Sequence, residues 1–303
     1  MTKMKAWINA ARLRTLPLSV SGIIVGSACA FPFFTSNANF LSIFLFAILT
    51  TLLLQILSNF ANDYGDGVKG TDNETRVGPQ RAVQSGLLSA AQMKKGVIVT
   101  SLLSLLSALV LIYISFGKDN FLTSLFFFVL GVSCVAAAIK YTVGSGAYGY
   151  KGLGDLFVFI FFGLVSVLGS FYLYGQVFSY WVILPALAVG NLSIAVLNIN
   201  NMRDLDSDKL VGKNTLAVKL GRSGAKQYHY FIIVFALIAF IVYALYSNFS
   251  YYQYFFIVAY IPFIKHLIFV KNNTLPKELD SQMKIVALST FFVSVLFSLA
   301  LIL

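Results

Sequence analysis

The sequence predicts an all-α, polytopic membrane protein with nine transmembrane helices. Two observations carry that prediction. The 303 residues are 58% hydrophobic and only 11% charged, whereas a soluble domain carries about 25% charged residues. Apolar runs recur near 16–34, 40–61, 95–116, 121–139, 155–176, 180–200, 228–247, 252–270 and 285–303. Each is close to the roughly 20 residues a helix needs to cross hydrocarbon.

Met1 to Arg14 is polar and basic and leads into the first run. The apolar stretch from Leu16 to Phe34 is longer than the core of a secretory signal, so it reads as a retained first helix. Gly22 and Gly26 within it have the small-xxx-small spacing that lets helices approach closely. The connections alternate. Those near 35–39, 117–120, 177–179 and 248–251 are short, and those on the other side are longer. No stretch between spans is long enough for a separate soluble core, so residues 1–303 read as one integral domain.

The net charge of +11 has a topological explanation and does not call for a nucleic-acid partner. With nine spans, 21 of the 22 Lys and Arg fall on one side and only Lys118 on the other. The positive-inside rule then places the N-terminus and the long loops in the cytoplasm and the C-terminus outside. Cys29 and Cys134 lie within spans without metal-ligand spacing and read as small apolar fillers. His229 and His266 read as isolated packing or interfacial residues. Gly144, Gly146 and Gly149 spell GxGxxG, but they follow one membrane helix and precede another. A dinucleotide site requires a strand before the motif, so the segment reads as a flexible cytoplasmic loop.

The chemistry concentrates at two acidic segments. The first holds Asn59, Asn62, Asp63 and Asp66, followed by Asp72 and Glu74. The second holds Asn201, Asp204, Asp206 and Asp208. Seven of the 11 Asp and Glu lie here. Positions 59, 62, 63 and 66 share one helical face, and the chain then enters a glycine-rich turn through Gly65, Gly67 and Gly70. Asn201, Asp204 and Asp208 repeat the geometry, with Asp206 pointing elsewhere. Asn62-x3-Asp66-x3-Gly70 matches Asp204-x3-Asp208-x3-Gly212 at an offset of 142 residues, which suggests two related helical halves facing each other.

Carboxylates beside hydrocarbon are costly and need a charge-pairing or functional reason. The bland reading is that each pairs with a loop cation. Against it, like charges on one face repel, and a divalent metal removes the repulsion. Hard oxygen ligands of this kind suit Mg²⁺ carrying a phosphorylated substrate. Arg76, Arg81, Lys140, Lys151, Arg203 and Lys213 lie on the same side. Arg81 and Lys213 are the preferred anion ligands.

The segment NDYGDGVKGTDNETRVGPQRAVQSG (62–86) resembles the first aspartate-rich motif of the UbiA superfamily of intramembrane prenyltransferases. NNMRDLDSDKLVGKNTLAVKLG (200–221) resembles the second. YTVGSGAYGYKGLGD (141–155) and ARLRTLP (11–17) are similar to the middle loop and first-helix entry of the branch that prenylates 1,4-dihydroxy-2-naphthoate. The wider superfamily has a further Asp where this chain has Gly70. The nearest acid, Asp72, has the naphthoate branch's spacing. Leu13 replaces the usual Pro after the first Arg.

The resemblance implies helices around a central cavity, open to lipid and with its active site at the cytoplasmic side. It implies Mg²⁺-dependent transfer of a polyprenyl chain from its diphosphate to 1,4-dihydroxy-2-naphthoate in menaquinone synthesis. The product is demethylmenaquinone, with loss of CO2 and diphosphate. Asn62, Asp66, Asp204 and Asp208 become the expected metal-binding catalytic set, supported by Asn59, Asp63, Asp72 and Asn201. Arg81, Lys140, Lys213 and Arg12 become expected ligands of diphosphate or acceptor. The expected location is the bacterial inner membrane. Another acceptor on the same fold, such as 4-hydroxybenzoate, is the nearer rival. A cation transporter is the remote one, disfavoured because the acids sit at span ends and not near the bilayer midplane.

Overall fold

The computed structural model describes residues 2–70 and 80–303. Asp72, Glu74 and Arg76 lie outside the described residues. Within them, nine helices are long and apolar enough to cross a membrane.

Helix α1 (Lys3–Ala11) starts on Thr2, whose side chain accepts from the Lys5 amide, and stops at Arg12. Arg12 takes a left-handed conformation with φ 51°, a costly place for a residue with a Cβ. A short turn leads into α2 (Leu16–Phe34), with Pro17 in its first turn, where the missing amide is harmless. Helix α3 (Phe40–Lys69) has 30 residues. At 1.5 Å per residue it is longer than the roughly 30 Å hydrocarbon layer, so its acidic end projects beyond the apolar zone.

A capping box formed by Ser89 and Gln92 opens α4 (Ala90–Phe116). Next come α5 (Phe121–Lys140), α6 (Gly154–Gly175) and α7 (Tyr180–Arg203). Residues Phe159–Gly169 of α6 are wound as a π-helix. The short α8 (Leu205–Leu210) precedes α9 (Leu216–Tyr246), which is broken at Gly221 with φ 69°. The chain closes with α10 (Tyr251–Asn272) and α11 (Pro276–Ile302).

Helix α3 packs along α4, and α7 packs along α9. Each acid-bearing helix is thus paired with the next membrane helix in the chain, as two facing halves require. A large apolar cluster joins α2, α6, α7 and α9 to α11, and a smaller one joins α1, α3 and α4 around Leu57, Phe60 and Met93. The glycine pair of α2 does what its spacing predicts. A Cβ on Gly26 would lie 2.3 Å from the Val167 carbonyl oxygen, and one on Gly22 would lie 2.9 Å from that of Phe162. Helix α2 therefore lies directly on the π-helical backbone.

The two histidines are not isolated. His229 Nε2 and His266 Nε2 meet at 2.8 Å, His266 Nδ1 lies 2.8 Å from Gln282 Oε1, and Asn198 Nδ2 lies 3.3 Å from His229 Nδ1. The amide of Asn198 donates to His229 Nδ1, so His229 donates to His266, and His266 donates to Gln282. This chain of bonds ties α7, α9, α10 and α11 together in the interior. Residues so distant in sequence give no local signal of the contact.

Candidate active site

A cavity of about 350 Å³ lies within the bundle. One end is polar and lined by Arg12, Asn62, Asp66, Arg81, Asn200 and Lys213. The remainder is mostly apolar and aromatic, with Thr50, Ser166, Ser170 and Ser193 interspersed, and it reaches Leu111 and Leu173 near the opposite ends of their helices. The cavity therefore connects the charged surface to the depth of the hydrocarbon layer.

The first acidic set divides on folding. Asn59, Asn62 and Asp66 line the cavity, and Asp63 does not. Asp66 accepts from Arg81 Nη1 at 2.5 Å and from the Tyr150 hydroxyl at 2.6 Å. Asn62 Oδ1 accepts from Thr142 at 3.3 Å, and its carbonyl accepts from Arg81 at 3.0 Å. Asn59 donates to the Ala11 carbonyl at 2.9 Å, which fixes the entry of the first span. Asp63 is buried and accepts from Arg12 at 2.6 Å.

The predicted glycine-rich turn is corrected. Gly65 and Gly67 are helical, and only Gly70, with φ 69°, turns the chain. The two helical glycines serve close approach. A Cβ on Gly65 would lie 2.9 Å from the Thr142 carbonyl carbon, and one on Gly67 would lie 2.7 Å from Val83. They let the middle loop and the Arg81 segment press onto the end of α3.

The middle loop is likewise corrected, from flexible connector to wall of the site. Tyr141 and Tyr148 line the cavity. Burial raises both phenol pKa values, so both hydroxyls stay protonated. Tyr150 reaches both halves, because its hydroxyl meets Asp66 and its carbonyl accepts from the Asn214 amide at 3.0 Å. Three tyrosines in one polar loop were the available sequence signal, and composition alone did not select them from 16.

The second acidic set does not repeat the first. The helix breaks at Asp204, with φ −94° and ψ 9°, so Asn201, Asp204 and Asp208 do not share one continuous helical face. Asp204 is held by two bonds from the adjacent Arg203, at 2.9 and 2.7 Å, and Arg203 also reaches Asp280 on α11 at 2.5 Å. Sequence spacing misses this because it assumes an unbroken helix and ignores the neighbouring side chain. Asp208 is buried and meets Lys213 at 3.3 Å; like Asn201 and Asp204 it lies just outside the cavity lining, which this segment reaches through Asn200 and Lys213. Burial is the main cause that pushes its carboxyl up to about 6, with Lys213 opposing and Asp204 reinforcing the shift. Asp206 is exposed, pairs with Arg222 and does not line the cavity. Lys140 and Lys151 are also exposed and do not line the cavity.

These oxygens fit a hard divalent cation: carboxylates and amides, without thiol or imidazole. Asp208 Oδ2 and Asn201 Oδ1 are buried without a hydrogen-bond partner among the described residues, a costly state that a cation would relieve. No group of three or more acidic, His or Cys side chains forms a ready cage among the described residues. Phosphate oxygens would have to complete the coordination, as they do for Mg²⁺ at many phosphate sites.

The model of the UbiA prenyltransferase family matches residues 19–300. The chain belongs to the UbiA prenyltransferase family. Family members generally use a divalent metal with diphosphate substrates, in keeping with the oxygen-rich, basic end of this cavity. The chain is 42% identical over 301 residues to a 1,4-dihydroxy-2-naphthoate octaprenyltransferase of Haemophilus influenzae, covering 99% of this chain and 96% of that one. It is 39% identical to the protein of the same name from Escherichia coli, covering 100% and 97%. A solved structure of digeranylgeranylglyceryl phosphate synthase in membranes covers 100% of this chain and 99% of its own, at TM-score 0.59 and 20% identity. That likeness shows the fold alone. This UbiA member is a multi-pass membrane protein.

Proposed function

We propose that the protein transfers a polyprenyl chain from its diphosphate to 1,4-dihydroxy-2-naphthoate, releasing diphosphate and CO2 and forming the demethylmenaquinone skeleton in its hydroquinone form. The observation that carries this reading is the continuity of one cavity from Asn62, Asp66, Arg81 and Lys213 into an apolar, aromatic channel. An amphiphile with a diphosphate head and a hydrocarbon tail matches both ends. The names of the full-length relatives from Haemophilus influenzae and Escherichia coli support the acceptor.

In the free protein Asp66 pairs with Arg81 and Asp208 with Lys213, partners that a metal diphosphate would replace. Asn62, Asp66 and Asp208, with Asp204 once freed from Arg203, would hold Mg²⁺, and Arg81 and Lys213 turn to the phosphate oxygens. When bound, Mg²⁺ supplies neutralisation of the charge that develops on the leaving diphosphate. Arg81 and Lys213 stabilise that charge from fixed positions.

As the C–O bond breaks, the allylic carbon becomes cationic. Tyr141, Tyr148 and Phe157 line the wall, and an aromatic lining favours a cation and excludes water. The electron-rich naphthoate ring then forms the new C–C bond. Loss of CO2 returns its bonding electrons to the ring. The rest of the prenyl tail lies in the apolar channel and between helices toward lipid.

The distribution of 21 basic residues against one supports insertion in a bacterial inner membrane with the N-terminus inside. External labelling of a cysteine at position 2 in intact cells would overturn that orientation. For the activity, purified protein is incubated with Mg²⁺, a polyprenyl diphosphate and a panel including 1,4-dihydroxy-2-naphthoate and 4-hydroxybenzoate. Prenylated naphthohydroquinone is the expected product by mass. Product from 4-hydroxybenzoate alone would overturn the acceptor.

A further inference from the structure

Asp63 sits beside the proposed metal ligands in sequence yet lies behind the cavity wall, 1% exposed. Its contacts are basic or backbone. Oδ1 accepts from Arg12 Nη2 at 2.6 Å and lies 3.7 Å from Arg81 Nε. Oδ2 lies 3.4 Å from the Ala82 amide. One carboxylate oxygen thus faces two guanidiniums from distant parts of the chain. Arg12 arrives from the left-handed break after α1, and Arg81 from the segment that returns to α4. Both line the cavity, and Asp63 does not.

Two guanidiniums converging on one buried carboxylate would otherwise repel each other in a poorly solvated setting. Their planar forks hold their bearing only if something behind them fixes the side chain. Arg81 has further anchors in Asp66 and the Asn62 carbonyl. Arg12 has Asp63 as its ion-pair partner among the described residues.

We propose that Asp63 is a positioning residue that sets Arg12 and Arg81 as a paired clamp for the diphosphate, and that it is not a metal ligand. This rests on the prenyl-diphosphate reading above. Through-space electrostatics and positioning predict opposite signs for Asp63→Asn. Removing a negative charge near an anion site tightens anion binding if charge alone matters. Losing the anchor weakens it if orientation matters.

The test is binding of inorganic pyrophosphate, in excess Mg²⁺, to the purified full chain by calorimetry. The proteins are wild type, Arg12→Gln, Asp63→Asn and the double variant, which removes both members of the pair and leaves no buried unpaired charge. Asp63→Asn weakens binding about tenfold, the scale of one charge-assisted hydrogen bond. The double variant binds within about twofold of Arg12→Gln, because Asp63 acts mainly through Arg12. Unchanged or tighter binding in Asp63→Asn overturns the proposal. Should that single variant fail to fold, a double variant about tenfold weaker than Arg12→Gln overturns it, and one matching Arg12→Gln supports it. Wild type that binds pyrophosphate but prenylates no acceptor defeats the transfer reading and leaves this proposal to be decided by the binding series. Wild type that does not bind pyrophosphate defeats both.

Discussion

Tyr150 donates its hydroxyl to Asp66 at 2.6 Å across 84 positions of sequence. The same residue accepts the Asn214 amide through its carbonyl. One loop residue therefore sets the first acidic motif against the second.

Tyr150→Phe removes the hydroxyl and keeps the ring and the carbonyl contact. Turnover should fall about tenfold, the usual scale for losing a hydrogen bond to a charged group. The check is kcat for prenyl transfer at equal membrane expression. An unchanged kcat would mean that Arg81 alone orients Asp66.

Asp66→Asn and Asp208→Asn each preserve shape and remove one charge. Either should lower turnover by orders of magnitude while the protein still inserts. Asp206→Asn breaks only an exposed pair with Arg222, worth about 0–1 kcal/mol, and should retain near-normal activity. Equal activity in all three variants would sink the site.

Asp208 carries a pH signature. Its carboxyl is pushed up to about 6 in the folded, metal-free protein from 3.8. The folded state therefore keeps a proton that the unfolded chain loses first. The stability contributed is full below about pH 4 and is lost as pH rises through about 6. Metal-free wild type should lose stability relative to Asp208→Asn across that interval, by at most about 3 kcal/mol. Apparent Mg²⁺ affinity should strengthen over the same interval, because the ligand must be ionised. Thermal unfolding with chelator, repeated with Mg²⁺ and pyrophosphate, measures both. Parallel stability profiles for the two proteins would remove the assignment.

His229→Leu tests the interior chain of hydrogen bonds. It strands the acceptor nitrogen of His266 and one of the two amide N–H groups of Asn198, the other being held by the Ala225 carbonyl, in a fully buried position. The expected loss is about 2–4 kcal/mol of stability, with turnover per folded molecule close to wild type. A large fall in kcat at full folding would instead place the histidines in the chemistry.

Much of this architecture was legible in the sequence. The nine spans follow from apolar run lengths, and Gly22 and Gly26 announced a close helix contact that α6 supplies. Arg81 and Lys213, selected beside their glycine turns, both reach the cavity. Lys140, chosen by the same reasoning of charge and side, remains at the surface. Charge sign is local information, whereas the direction of a long side chain depends on what packs beneath it.

The fold class and the two acidic motifs were readable along the chain, because hydrophobic run length and the cost of intramembrane charge act locally. How those acids divide was settled by packing. The kink at Asp204 and the grip of Arg203 turn one carboxylate aside, and Asp63 is drawn behind the wall to two arginines. Helical spacing places residues on a face. Which residues of that face meet a cavity, a cation or each other is set by partners tens of residues away, and the competition among those partners exists only once the helices have packed.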